Sequence, residues 1–284
     1  MMDIPEAPCD RWDLVTFHER VGTMANIKDI LARRNDLDSF LVHLTKDVPR
    51  QGAEEKVTAR ENLISIIRDN RIEARSNFGF AKTLAEKGSI NKWSQKAVCF
   101  TETPLEHLHL LVEKIEGRRH HFTSYGIVIT KKFARENNVN PVWYVENNSD
   151  LGKVRQTFFN NILRRYETEP ELGSFFQITP YIETMGHVQN LNLNTEFDIE
   201  FWWEKEWRKI GDFDLPAKYI VLCPEDDIKE IQALAMKEND LNWWPCIDPV
   251  WSMEQIIASL AGFDLDEEVN INISLRKSNQ SMEN

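Results

Sequence analysis

Phe201-Trp-Trp-Glu-Lys-Glu-Trp-Arg208, FWWEKEWR, sets three tryptophans among two glutamates, and its reading as helix or strand decides what the acids can do together. In a helix, Trp203 and Trp207 stack at i, i+4, and Glu204 and Glu206 diverge by about 200°. In a strand, Trp203, Lys205 and Trp207 share one face, and Trp202, Glu204, Glu206 and Arg208 share the other. The flanks favour the strand. Phe197-Asp-Ile-Glu-Phe201 is aromatic and β-branched with alternating acids, and Gly211-Asp-Phe-Asp-Leu-Pro216 is turn chemistry before another strand. Glu204 and Glu206 are then expected as a same-face pair. Such a pair is either the solvated face of an edge strand or a working pair in which one carboxylate binds a substrate hydroxyl or stabilises a cationic transition state. The nearness of Arg208 is also compatible with a purely structural pairing.

The chain around this stretch has 284 residues, enough to bury a large core, and its 42% hydrophobic and 28% charged composition is that of a folded protein. A formal net charge of -12 argues against a broad basic surface for duplex nucleic acid, while leaving room for a local basic cleft. No basic leader precedes an apolar run, and no apolar stretch approaches the roughly 20 residues of a membrane helix, so a cytoplasmic protein with no membrane partner is expected. Cys9, Cys99, Cys223 and Cys246 form no CxxC pair, so neither a disulfide framework nor a structural metal site is expected. Cys99 and Cys223 sit in apolar runs and read as small buried hydrophobes.

Further strands are expected at Ser39–Thr45, Arg71–Arg75, Ala97–Thr101, Tyr125–Thr130, Pro141–Val145 and Tyr219–Cys223. Helices are expected at Asn26–Arg34, after Thr58, after Thr103, over Lys131–Asn137, Leu151–Glu167 and Asp226–Lys237, and after Ser252. Thr58-Ala-Arg-Glu61, Thr103-Pro-Leu-Glu106 and Ser252-Met-Glu-Gln255 all read as capping boxes. Strands and helices mix without regular βαβ alternation, which predicts an α+β fold. No glycine-rich dinucleotide fingerprint or Walker lysine motif appears. Residues 1–273 are expected as a single domain with an irregular lead-in, and 274–284 as a flexible tail.

Four segments in order carry a resemblance: FLVHLT (Phe40–Thr45) followed by NLISIIRDNRIEA, VCFTETPLEHL (Val98–Leu108), SYGIVITKKFARENNVNPVWYV (Ser124–Val145) and EKEWR (Glu204–Arg208). This order resembles the AbiGi-type abortive-infection proteins of bacterial phage defence. More distantly it is similar to ADP-ribosyltransferases of the DarT kind. The resemblance spans roughly Ser39 to Glu230. It implies an ADP-ribosyltransferase-like split, mostly antiparallel β-sheet with flanking helices, gripping NAD as the substrate.

On that resemblance, His43 on the first strand touches the NAD ribose and Thr101 supports the nicotinamide side. Glu206 stabilises the positive charge that develops as the glycosidic bond breaks, and Glu204 positions the acceptor. Arg75 and Phe80 hold phosphate and stack on nicotinamide. Other readings stand beside these: a core histidine at 43, a helix N-cap at Thr103, a surface arginine at 75, a core phenylalanine at 80, and core or rim aromatics at Tyr125 and Tyr144. The Ser-Thr-Ser triplet of arginine-modifying members and the Gly-x-His start of histidine-type members are absent.

Two function classes follow from the resemblance. One is a toxin that transfers ADP-ribose from NAD to a nucleic-acid or protein acceptor, controlled by a cognate antitoxin or chaperone. The other is a non-catalytic antitoxin or partner protein of the same fold, since AbiGi proteins have been labelled antitoxin components. Nine tryptophans, including Trp243, Trp244 and Trp251, supply either an interface or a core. Local basic clusters at Arg118–His121, Lys131-Lys132 and Arg164-Arg165 would suit single-stranded nucleic acid if they are more than solvated helix ends. A metal-dependent nuclease built on Asp198, Glu200, Glu204 and Glu206 lacks an accompanying signature.

Overall fold

The computed structural model describes residues 39–49, 56–79, 81–113, 121–166, 168–190, 195–200 and 202–263. All of them belong to one compact unit, Asp38–Asn284. The expected helix at Asn26–Arg34, the tail from Ser274, Phe80, and Arg118 and Arg119 lie outside the described residues.

The main sheet has eight strands. Its order is Cys246–Ile247, Ile220–Leu222, Gly126–Thr130, Phe40–Leu44, Lys96–Thr101, Glu206–Ile210 and Asn140–Pro141, with Ser76–Asn77 adding to the Lys96–Thr101 strand. Every pairing is antiparallel except that of Ile220–Leu222 with Cys246–Ile247. A second sheet has three strands, Thr195–Ile199, Ile182–Asn190 and Trp143–Glu146. The chain is thus a mixed α+β protein built on a mostly antiparallel sheet.

Alternation along the strands divides the main sheet into two buried faces. One face carries Leu41, Val98, Phe100, Ile127, Ile129 and Val221. It is covered by helices Ala59–Asp69, through Leu63 and Ile67, and Ile228–Asn239, through Ile231 and Ala235. The other carries Val42, Leu44, Val128, Leu222 and Ile247, beneath Leu108 and Leu111 of helix Leu108–Val112 and Ile256 of helix Met253–Ala261. A third cluster packs Phe159 and Ile162 of helix Asp150–Arg165 over Val145 and Ile182 of the smaller sheet.

Two of the three expected capping boxes form. Thr58 accepts from the Glu61 N–H at 3.2 Å while the Glu61 carboxylate accepts from the Thr58 N–H at 2.7 Å, and Ser252 and Gln255 do the same. The third, at Thr103–Glu106, does not form. Pro104 caps a short 3-10 turn, Leu105–His107, without a side-chain bond, and the Thr103 hydroxyl is instead hydrogen-bonded to that of Thr101 at 2.8 Å.

Three strand expectations are corrected. Arg71–Arg75 shortens to Arg71–Ile72, paired with Phe213–Asp214. Pro141–Val145 divides at Val142, because Asn140–Pro141 joins the main sheet and Trp143–Glu146 the smaller one. Among the described residues of FWWEKEWR, 202–208, the strand begins at Glu206. Trp202–Glu204 is a 3-10 turn, and Lys205, at φ 43°, is left-handed.

Removing the first capping box tests how far this local chemistry stabilises the fold. Thr58→Ala is expected to cost about 1 kcal/mol, read as a lower midpoint with unchanged slope in urea unfolding.

Candidate functional site

The strand Glu206–Ile210 brings Arg208 to the buried face where the two sheets meet. Its guanidinium donates from Nε to Glu206 Oε1 at 2.9 Å and from Nη2 to Glu206 Oε2 at 2.6 Å, a two-bond fork. Nη2 also donates to Glu183 Oε2 at 3.0 Å, and Nη1 to the Pro180 carbonyl at 2.6 Å. The guanidinium carbon lies 4.2 Å from the centre of the Phe78 ring. The side chains of Arg208 and Glu206 are 3% and 13% exposed.

Burial alone would lower the Arg208 pKa. The Glu206 and Glu183 carboxylates more than offset it, and the guanidinium is held above its ordinary value. The same surroundings disfavour new negative charge. Burial, then the Glu206 carboxylate, pushes the Tyr144 phenol up, and the Tyr144 oxygen accepts the Glu206 N–H at 3.2 Å. Burial, then Glu206, also pushes the Cys99 thiol well up, so Cys99 is no ready nucleophile.

Glu206 pairs in register with Thr101, and Thr101 with Val42. These three therefore share a face, and His43 turns to the opposite one. There His43 Nδ1 lies 2.8 Å from the Cys99 carbonyl, so this nitrogen carries the proton of the neutral ring. The ring meets Phe100 edge-on with centroids 5.9 Å apart. Arg75 is near enough that its charge helps burial to lower the His43 pKa. It donates to Asn62 Oδ1 at 2.7 Å and to Glu73 Oε2 at 3.0 Å.

The residues singled out in the sequence thus form two groups. Glu206 and Thr101 are neighbours on one face, and His43 and Arg75 on the other. The Thr101 hydroxyl donates to the Glu204 carbonyl at 2.6 Å and shares its bond with Thr103, so it anchors the 3-10 turn to the strand end. Glu204 belongs to that turn and does not continue the strand face of Glu206; the left-handed Lys205 between them re-aims the chain. Phe80 lies outside the described residues. Among the described residues, no three His, Cys, Asp or Glu side chains converge as they would to hold a metal ion.

Sequence reasoning missed the centre of the site. The spacing of Glu206 and Arg208 put both on one face, but nothing in it showed that Arg208 would be the buried group. Glu183, Pro180 and Phe78 reach it from segments whose strand character was weak or unread.

These features define a mixed α+β protein whose most deeply buried charged side chain, among the described residues, is an arginine forked onto a strand glutamate. The family described as "Putative abortive phage resistance protein AbiGi, antitoxin" matches residues 65–242, more than half of the chain, and the chain belongs to that family. A relative, the "Abortive phage resistance protein AbiGi" of Lactococcus lactis subsp. cremoris, is 25% identical over 167 residues, covering 54% of this chain and 65% of that protein. The chain therefore matches just under two thirds of that relative's length. No solved structure matches it.

Two measurements test the electrostatics. Arg208→Met leaves Glu206 and Glu183 without their partner and is expected to cost about 3–5 kcal/mol in denaturant unfolding. His43 has its pKa lowered below 6.5 in the folded protein, so as pH falls through that value the unfolded chain takes up the proton first. Stability is lost as pH drops toward the folded pKa. Comparing urea unfolding at pH 7.5 and about pH 5.5, His43→Gln should lose less stability than wild type.

Proposed function

We propose that the chain is the partner-binding, antitoxin-type component of an abortive-infection phage-defence system, acting in the cytoplasm on a cognate toxin. The observation that carries this reading is the state of Glu206. Both of its carboxylate oxygens accept from a buried arginine, and the candidate histidine lies on the other side of the sheet. A carboxylate forked by a guanidinium has little charge left to stabilise an oxocarbenium ion. The family description, which names an antitoxin, agrees with this reading. No helix among the described residues is long and apolar enough to cross a membrane.

A second reading is an ADP-ribosyltransferase using NAD as substrate and a nucleic-acid or protein acceptor. It is favoured by one observation: Glu206 opens an inner strand of a mostly antiparallel sheet, directly beside Thr101. In this reading Arg208 must release Glu206 when NAD binds, with Glu183 keeping the guanidinium. His43 and Arg75, across the sheet, then serve the fold and not the cofactor.

One experiment separates the two. Wild type and Glu206→Gln are incubated with labelled NAD and lysate or nucleic acid, and each is co-expressed with a candidate cognate toxin. The antitoxin reading expects no label transfer from either protein and relief of growth arrest by wild type. Label transfer by wild type that Glu206→Gln abolishes would overturn it in favour of the transferase.

A further inference from the structure

Thr195–Ile199 is the outer strand of the three-stranded sheet. Among the described residues its ladder runs to Ile182–Asn190 alone. An outer strand presents alternate N–H and C=O groups away from its neighbour, and five residues offer about 17 Å of such edge. Folded proteins commonly blunt an edge of this kind with charged side chains, lysine above all, with proline, or with a bulge. The sequence Thr195-Glu-Phe-Asp-Ile199 contains neither proline nor lysine, and its register with Ile182–Asn190 runs without a bulge. What it carries is acid. Asp198 is 73% exposed, with His187 Nδ1 of the neighbouring strand 3.0 Å from its Oδ1, and Glu200 just beyond the strand is exposed as well. Trp202, 57% exposed, follows two residues later.

We propose that this edge receives an extended, basic segment of the partner protein, which adds a strand alongside Thr195–Ile199. Main-chain bonds supply the attachment, as in other strand-addition complexes. Asp198 and Glu200 select arginine or lysine at alternate positions, and Trp202 takes a cation over its ring. A second copy of this chain is a poor occupant, because edge-to-edge pairing would set acid against acid in a protein of net charge -12. The same acids disfavour a nucleic-acid backbone.

This inference rests on the partner-binding reading above, and its test has an arm that does not. The full chain is titrated with a synthetic peptide of alternating arginine and valine, and with its glutamate-valine counterpart. Tryptophan fluorescence reports binding and amide hydrogen exchange reports its place. The arginine peptide should bind saturably and slow exchange at Thr195–Ile199, while the glutamate peptide should not bind. Asp198→Lys/Glu200→Lys should weaken binding at least tenfold and Trp202→Ala several-fold. Glu86→Lys/Glu238→Lys, of identical net charge, should leave it unchanged.

Equal binding by both charge-reversed proteins, or protection elsewhere, would overturn the proposal. So would a wild-type dimer in sedimentation whose Thr195–Ile199 amides are already protected, or the same protection produced by a 12-nucleotide single-stranded RNA and not by the peptide. In co-expression with the toxin, relief by wild type that survives Asp198→Lys/Glu200→Lys removes the edge and leaves the antitoxin reading standing. Absence of relief by wild type removes that reading, while the peptide titration still decides the edge.

Discussion

The Arg208 guanidinium is the constraint on which the junction of the two sheets depends. A charge with 3% of its side chain exposed is stable only if nearly every donor finds an acceptor. Here the acceptors come from Glu206 on the same strand, Glu183 on the smaller sheet and the Pro180 carbonyl before it, with Phe78 against the guanidinium plane. No two of the segments from Phe78, Pro180–Glu183 and Glu206–Arg208 are close in sequence. The arginine therefore fixes where Ile182–Asn190 begins relative to the main sheet. Exchanging it for lysine would keep the charge but lose the fork, since an ammonium cannot meet Glu206 twice and reach Pro180 and Glu183 as well.

The period of two along a strand imposes a second constraint. Val42, Thr101 and Glu206 lie in one cross-strand row, and His43, Phe100 and Trp207 in the row behind it. A one-residue change of register in any of these strands would exchange the faces and bury the wrong set, so the hydrophobic pattern locks the separation. The rear row has its own polar anchor. Glu102 accepts from Trp207 Nε1 and from Lys131 Nζ, both at 2.6 Å, which ties the strand end to helix Lys131–Glu136. Polar residues that stand close in sequence order thus serve opposite layers of the molecule.

Strongly patterned segments were legible from sequence. Phe40–Leu44, Lys96–Thr101, Gly126–Thr130 and Ile220–Leu222 are short apolar runs that become inner strands, and Thr58 and Ser252 cap helices through residues three positions away. What failed to show depended on distant partners. Thr103-Pro-Leu-Glu106 has the letters of a capping box, but the hydroxyl it needs is drawn to Thr101, itself bonded to Glu204. Lys205 adopts a left-handed backbone that its residue type does not announce; that conformation follows the turn closed by its N–H to the Trp202 carbonyl at 3.1 Å. Ile182–Asn190 carries Gly186 at φ 98°, where a side chain would collide with the Glu146 carboxylate, and a mid-strand glycine weakens the local signal. The strand reading of FWWEKEWR was right where the ladder with Lys96–Thr101 enforces it, from Glu206 onward, and wrong where that ladder ends.

The same boundary separates two kinds of acid. From Glu206 inward, carboxylates are matched: Glu206 and Glu183 to Arg208, Glu102 to Lys131. Outward of it, Asp198, with His187 Nδ1 3.0 Å away, and Glu200 stand exposed on or beside an outer strand. A matched buried carboxylate holds geometry, and removing its partner leaves an uncompensated charge inside the protein. An exposed one contributes little to folding, because water and salt screen it. Its main effect is on what approaches: it repels like surfaces and speeds the encounter with basic ones. In a chain this acidic, the exposed acids of that outer strand bear more on what approaches than on the stability of the fold, and the buried ones bear on how Ile182–Asn190 is held against the main sheet.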